Sequence, residues 1–261
     1  MASFIIGSIL VIGGALLSIL VPIRVRNKNI DIKFMKRTSI DELKDILAYN
    51  ASAGLDGYRH YVELNGQADS KIINKAPFSG NDTSYFDADL YAVSEVADTS
   101  SENKDKQPVL RKIETHINNQ KSSSPLILKD SQSKNIVYID VNQQGLKIDT
   151  LKTFDKFEPQ SNVANNNYFR NISYKTPSGR MLGFRMTENT IPKNQMLFVL
   201  GDAVLNGDKI NILRPSDKKP FIVSVKDKTD IVRGNESSAK VALVLGILIA
   251  IAGILMMIFI K

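Results

Sequence analysis

Cysteine and tryptophan are both absent from the chain, and histidine occurs only twice, at His60 and His116. Without thiols there can be no disulfide, no thiolate zinc site and no cysteine nucleophile. The two histidines have no Asp or Glu pattern around them that would complete a metal site, so both read as plain surface or strand residues. The common catalytic spacings are missing as well: the sequence contains no GxxxxGK, no GxSxG and no HExxH. No catalytic residue, metal or cofactor is expected. The net charge of +7 is modest and mixed along the chain. Basic residues are not interleaved with aromatic stacking positions, which argues against nucleic acid as a partner.

What the sequence does contain is two long runs without charge, one at each end. Ser3 to Ile23 is the first and Val241 to Ile260 the second. At about 1.5 Å per helical residue, each covers roughly the 30 Å of a bilayer's hydrocarbon core. Backbone inside lipid must satisfy its own hydrogen bonds, so residues 3–23 and 241–260 are expected as transmembrane helices of a two-pass integral membrane protein. A cleaved signal peptide would need a basic start and a small-residue exit, and the chain opens with "MASF" instead. Gly14-x-x-x-Ser18 and Gly246-x-x-x-Ala250 are spacings of small residues that let helices approach closely. Those four residues are the candidate packing face, whether within the chain or in a homo-oligomer.

Residues 24–37 form a basic juxtamembrane segment. Arg24, Arg26, Lys28, Lys36 and Arg37, with Lys33 among them, are candidates for contact with lipid headgroups. Their position favours the following domain on the cytoplasmic side. Ser39, with Glu42 three residues on, has the form of a capping box, and Ile40, Leu43, Ile46 and Leu47 share one stripe of a short helix. From Tyr61 the period becomes two. "YVELNGQA", "VLRKIETHI", "QMLFVLGDAVL" and "KINIL" alternate, and the last two are joined by "NGD", a strong hairpin signal. "PLILKD" and "NIVYIDV" flank "SQSK" as a second hairpin, and "NYFRNISYKT" with "RMLGFRMTE" suggests a third. Residues 38–238 are therefore expected as a mainly β domain, a sandwich or OB-like small barrel with a short N-terminal helix. Val62-x-Leu64-x-Gly66-x-Ala68 and Leu197-x-Val199-x-Gly201-x-Ala203 share a spacing, leaving open one or two β modules. Asp130, Asp140 and Asp149 fall at strand ends, where aspartate commonly serves turns.

The arrangement resembles the GIDE family, known from mitochondrial-anchored protein ligases. In that family two membrane helices bracket a β-rich "beside a membrane" (BAM) domain, and a C-terminal RING follows. "TSIDELKDI" resembles the helix before that domain and "YVELNGQA" its first strand. "PLILKDSQSKNIVYIDVNQQGLKID", "MTENTIPKNQMLFVLGDA" and "KPFIVS" resemble later stretches in the same order. The resemblance implies structural roles for Gly66, Asp130, Gly201 and Pro220. It also implies ubiquitin or SUMO transfer through a zinc-bound RING, but these residues include no cysteine, so there is no position to which that activity carries over. Ser84 stands where relatives are expected to have a cysteine. The expected function is that of a membrane-anchored, non-catalytic binding or scaffold protein with the lipid bilayer and a protein as partners. The alternative is an adaptor in ubiquitin-type conjugation. The second helix, followed only by Lys261, is expected to be an anchor rather than a lead into a working domain.

Overall fold

The computed structural model describes residues 2–98, 109–163, 179–217 and 219–259. The chain is mainly β, with small barrel and half-barrel sheets, an N-terminal helix and an apolar helix at each end. Its elements are α1 (Ala2–Phe34), α2 (Ile40–Ser52), β1 (His60–Ser70), β2 (Asn74–Lys75), β3 (Asp82–Asp98) and β4 (Val109–Lys121). These are followed by β5 (Leu126–Lys129), β6 (Ile136–Ile139), β7 (Lys147–Asp149), β8 (Leu151–Pro159) and α3 (Gln160–Val163). The last are β9 (Arg180–Pro192), β10 (Met196–Asn206), β11 (Lys209–Leu213), β12 (Ile222–Ser224) and α4 (Lys228–Phe259). The stretch "NYFRNISYKT", one arm of the expected third hairpin, and the loop after Asp98 up to residue 108 lie outside the described residues.

The chain divides into two compact units. The first comprises Met1–Asn65, Gln144–Ile148 and Leu197–Lys261; the second comprises Gly66–Gln143 and Asp149–Met196.

The first unit holds both long helices. α1 does not stop at Ile23 but continues to Phe34 with Pro22 inside it, so most of the basic segment is helical. Two contacts support this extension. Ile32, fully buried, packs with Phe198, Leu200, Ile222, Ile231 and Val232. Asn29, also buried, donates to the Val232 carbonyl at 3.3 Å and accepts from Asn235 Nδ2 at 2.8 Å. α1 and α4 are each long and apolar enough to cross a membrane, and only 11% of each one's most apolar window is buried. They are therefore unlike the core helices of a globular domain, whose apolar faces are covered.

The helices run antiparallel through glycine contacts. A Cβ at Gly14 would lie 2.5 Å from the Gly246 carbonyl oxygen and 2.7 Å from Ala250 N. One at Gly246 would lie 2.8 Å from Ser18 Cβ, and Gly253 faces Gly7 in the same way.

Strands of this unit follow the order β11-β10-β12-β7. The "NGD" turn closes β10 on β11 with Asn206 opposite Lys209 and Gly207 at φ 59°. α2 begins where the capping box places it, with Glu42 N donating to Ser39 Oγ at 3.2 Å. Its Ile40, Leu43 and Leu47 are buried, so its apolar stripe packs on protein.

The second unit contains the end of β1 from Gly66 on, paired to β5 and through it to β6, and a sheet ordered β2-β3-β9-β8, with β4 paired to β3. β5 and β6 form the hairpin read from the sequence, with Leu126 opposite Ile139. Leu90, Ala92, Phe184 and Met186 are its buried centre. A register shift opposite Leu90 and Tyr91 leaves Ile117 as the extra residue of β4.

Candidate functional site

Helical periodicity sorts the basic segment into two sides. Arg24, Asn27, Lys28 and Asp31 recur at three and four residues and form one stripe of α1. Arg26, Asn29, Ile30 and Lys33 form another, which lines a second, shallower hollow with Glu236 and Lys240. The first stripe makes one wall of a cleft of about 670 Å³. Gly145, Lys147, Arg214, Pro215, Lys219, Pro220 and Phe221 complete it, all within the first unit. Its lining thus carries five cationic side chains and a single carboxylate, Asp31.

The loop that supplies Arg214 and Lys219 is held in place by buried polar groups. Asp202, 5% exposed, accepts from Ser216 N at 3.3 Å and lies 3.9 Å from Arg59 Nη1. The Tyr61 hydroxyl donates to the Pro220 carbonyl at 2.8 Å. Burial, with Asp31, Asp202 and Glu63 nearby, raises the Tyr61 pKa far above that of a free phenol, so the hydroxyl stays a donor. Lys219 Nζ lies 5.1 Å from the centre of the Tyr61 ring, a cation–π arrangement, and 3.4 Å from Asp217. Across the cleft, Lys147 N donates to the Phe221 carbonyl at 3.0 Å. Gly145, at φ +83°, turns the backbone beside Arg214, where an added Cβ would be in ordinary contact with the guanidinium at 3.4 Å from its Cζ.

Of the residues singled out from the sequence, Arg24, Lys28 and Pro220 line this cleft. Arg26 lines the second hollow, and Lys36 and Arg37 are exposed beyond the end of α1. Gly66 and Gly201 sit where strands crowd. A Cβ at Gly66 would be 2.5 Å from the Lys129 carbonyl oxygen, and one at Gly201 would be 2.4 Å from Ile212 Cγ2. Asp130 and Asp140 serve turns, accepting from Gln132 N and Asn142 N. His60 contacts the Tyr58 hydroxyl at 3.3 Å, and His116 contacts Asp89 at 2.9 Å. Among the described residues no group of three or more His, Asp or Glu is placed to hold a metal.

Sequence reading missed Glu188 in the second unit. It is fully buried, and its Oε1 accepts from Phe78 N at 2.5 Å and Ser79 N at 3.1 Å. The signal was there: Phe184, Met186, Glu188 and Thr190 share the inward face of β9 at a period of two.

The chain is thus a mainly β protein with, at each end, a helix long and apolar enough to cross a membrane, and with a basic cleft beside the first of them. The sequence model of the GIDE family, described as an E3 ubiquitin ligase, matches residues 96–257, and the chain belongs to that family. No curated protein sequence and no solved structure matches it.

Proposed function

We propose that this chain is a two-pass membrane protein whose β units act as a non-catalytic binding or scaffold module at the membrane surface. The observation that carries this reading is the continuity of the apolar helices with the first unit. α1 and α4 pass without a break from exposed apolar runs into the buried cluster around Ile32 and Val232. A β unit joined in that way is held at a fixed height above the bilayer, which raises its effective concentration toward membrane-bound partners. Arg24, Arg26, Lys28, Lys36 and Arg37 supply headgroup contacts, and their position favours the cytoplasmic side. The test is crosslinking in native membranes followed by identification of what is captured. Recovery of one protein partner in stoichiometric yield is the expected result, and recovery of lipid alone would count against a scaffold.

A second reading is favoured by the family description: the chain takes part in ubiquitin-type conjugation as an adaptor that brings substrate to a separate ligase. A RING needs thiolates to hold its zinc ions, and these residues supply none. Reconstitution with charged conjugating enzymes separates the two readings. Transfer that requires only this chain would overturn the non-catalytic proposal.

A further inference from the structure

The basic cleft is more built than attachment to a charged surface requires. Exposed lysines scattered around a helix are enough to hold a protein near anionic lipid. Here Arg24, Lys28, Lys147, Arg214 and Lys219 come from three separate stretches and line a single recess. Its volume, about 670 Å³, is that of a small-molecule site, roughly 300–1,000 Å³. The supporting bonds from Asp202 and Tyr61 fix the loop that carries two of the five. Such preorganisation lowers the ordering cost of binding.

The chemistry of the lining selects the ligand. Five cations around one recess favour a compact dianion, and a phosphate monoester carries about −1.5 to −2 charges at neutral pH. Arg24 and Arg214 offer planar guanidinium forks that match phosphate oxygens two at a time, while the lysines act as point charges. Asp31, the one carboxylate in the lining, opposes the phosphate and is outnumbered by the five cations. Position adds a second argument. Arg24 is the first charged side chain after the N-terminal apolar run, and Asp31 lies seven residues on, about 10 Å further along α1. The cleft therefore opens at the level where the helix leaves its apolar stretch. The geometry points to a binding site for a phosphomonoester, with the headgroup of an anionic lipid as its membrane source. Only the lipid source rests on the proposed membrane insertion.

The test uses the full chain. Binding is measured in phosphatidylcholine vesicles containing either phosphatidic acid, a monoester, or phosphatidylglycerol, a diester, at matched surface charge. Thermal stabilisation by glycerol 3-phosphate is measured in detergent. Phosphatidic acid is expected to bind at least about tenfold more tightly than phosphatidylglycerol. Lys147→Gln with Arg214→Gln is expected to remove that preference, since each charged contact is worth about tenfold or more. Arg26→Gln with Lys36→Gln removes the same charge outside the cleft and is expected to keep the preference. Stabilisation by glycerol 3-phosphate that vanishes in the Lys147/Arg214 variant would support the site and identify a soluble ester as its source. Equal binding of the two lipids with no effect of glycerol 3-phosphate, or equal losses in the two double variants, would overturn the proposal. Protease protection of the same vesicles reports insertion independently, so failure of the site is distinguishable from failure of the anchor.

Discussion

Ser84 shows how one atom can sit badly in a good fold. The residue is 1% exposed, and its Oγ has no hydrogen-bond partner among the described residues. A buried hydroxyl without a partner costs about 1–3 kcal/mol, whereas a thiol of similar size behaves as a small apolar group. Ser84→Cys and Ser84→Ala are therefore expected to leave stability unchanged or raise it by about 1 kcal/mol, read from the denaturation midpoint at constant m-value. A loss from both variants would mean that the hydroxyl has a role the static contacts do not reveal. Glu188 is a mixed case: its Oε1 has two backbone donors, while its buried Oε2 has no partner among the described residues. It holds the Phe78–Ser79 turn by accepting both backbone N–H groups. Glu188→Ala leaves those donors without that acceptor in the interior and is expected to cost about 3 kcal/mol. Glu188→Gln keeps an acceptor oxygen and is expected to cost less. Equal losses would show that side-chain volume, rather than the bonds to the turn, matters there.

Elements were legible where their signals are local. The capping box at Ser39 and Glu42, the "NGD" turn and the hairpin around "SQSK" each combine turn chemistry with a clear period. The structure has helix or paired strand at each. The cleft was half legible for the same reason. Arg24 and Lys28 stand out as part of a charged block, but Lys147 opens the three-residue β7 and Arg214 and Lys219 follow β11, stretches too short or irregular to show a period, and only the tertiary fold brings them to α1. The outer face of the second unit's sheet was invisible in the same way. There Arg185 in β9 grips Asp155 in β8 through paired bonds of 2.8 and 2.7 Å and reaches Glu114 in β4 at 3.0 Å. Strand order, which no single segment encodes, makes that bridge. Bonds from Arg185 and Lys152 hold the Asp155 carboxyl well below the usual carboxylate range. A depressed folded-state pKa gives stability that is present above the unfolded value, near 4, and is lost as pH falls through the folded value. The melting-temperature gap between wild type and Arg185→Ala is therefore expected at pH 6 and should shrink steadily below pH 4. A gap that stays constant with pH would assign Arg185 a packing role.

At the scale of the whole molecule, the helix pair decides whether the anchor is a property of one chain or of an assembly. Gly7 and Gly14 on α1 meet Gly253 and Gly246 on α4, a seven-residue spacing on both sides that repeats the contact after two turns. Backbones this close gain packing that lipid tails cannot supply, because lipid is as apolar as a leucine side chain. A side chain at Gly14 or Gly246 would strike backbone on the partner helix at 2.5 to 2.6 Å, which no flexible neighbour can relieve. The absence of cysteine makes this testable without background. Ser8 Oγ, next to Gly7, lies 3.6 Å from Met257 Sδ, one turn beyond Gly253 on α4. A chain carrying Ser8→Cys and Met257→Cys is expected to form its disulfide within one polypeptide, seen as a monomer of altered mobility on non-reducing gels. Adding Gly14→Leu or Gly246→Leu is expected to suppress that crosslink, while Gly13→Leu, where an added Cβ meets nothing within 4 Å among the described residues, should leave it intact. A covalent dimer in place of the altered monomer would move the glycine contacts from the hairpin to an interface between two copies. The first unit would then be anchored by its neighbour's helix as well as by its own.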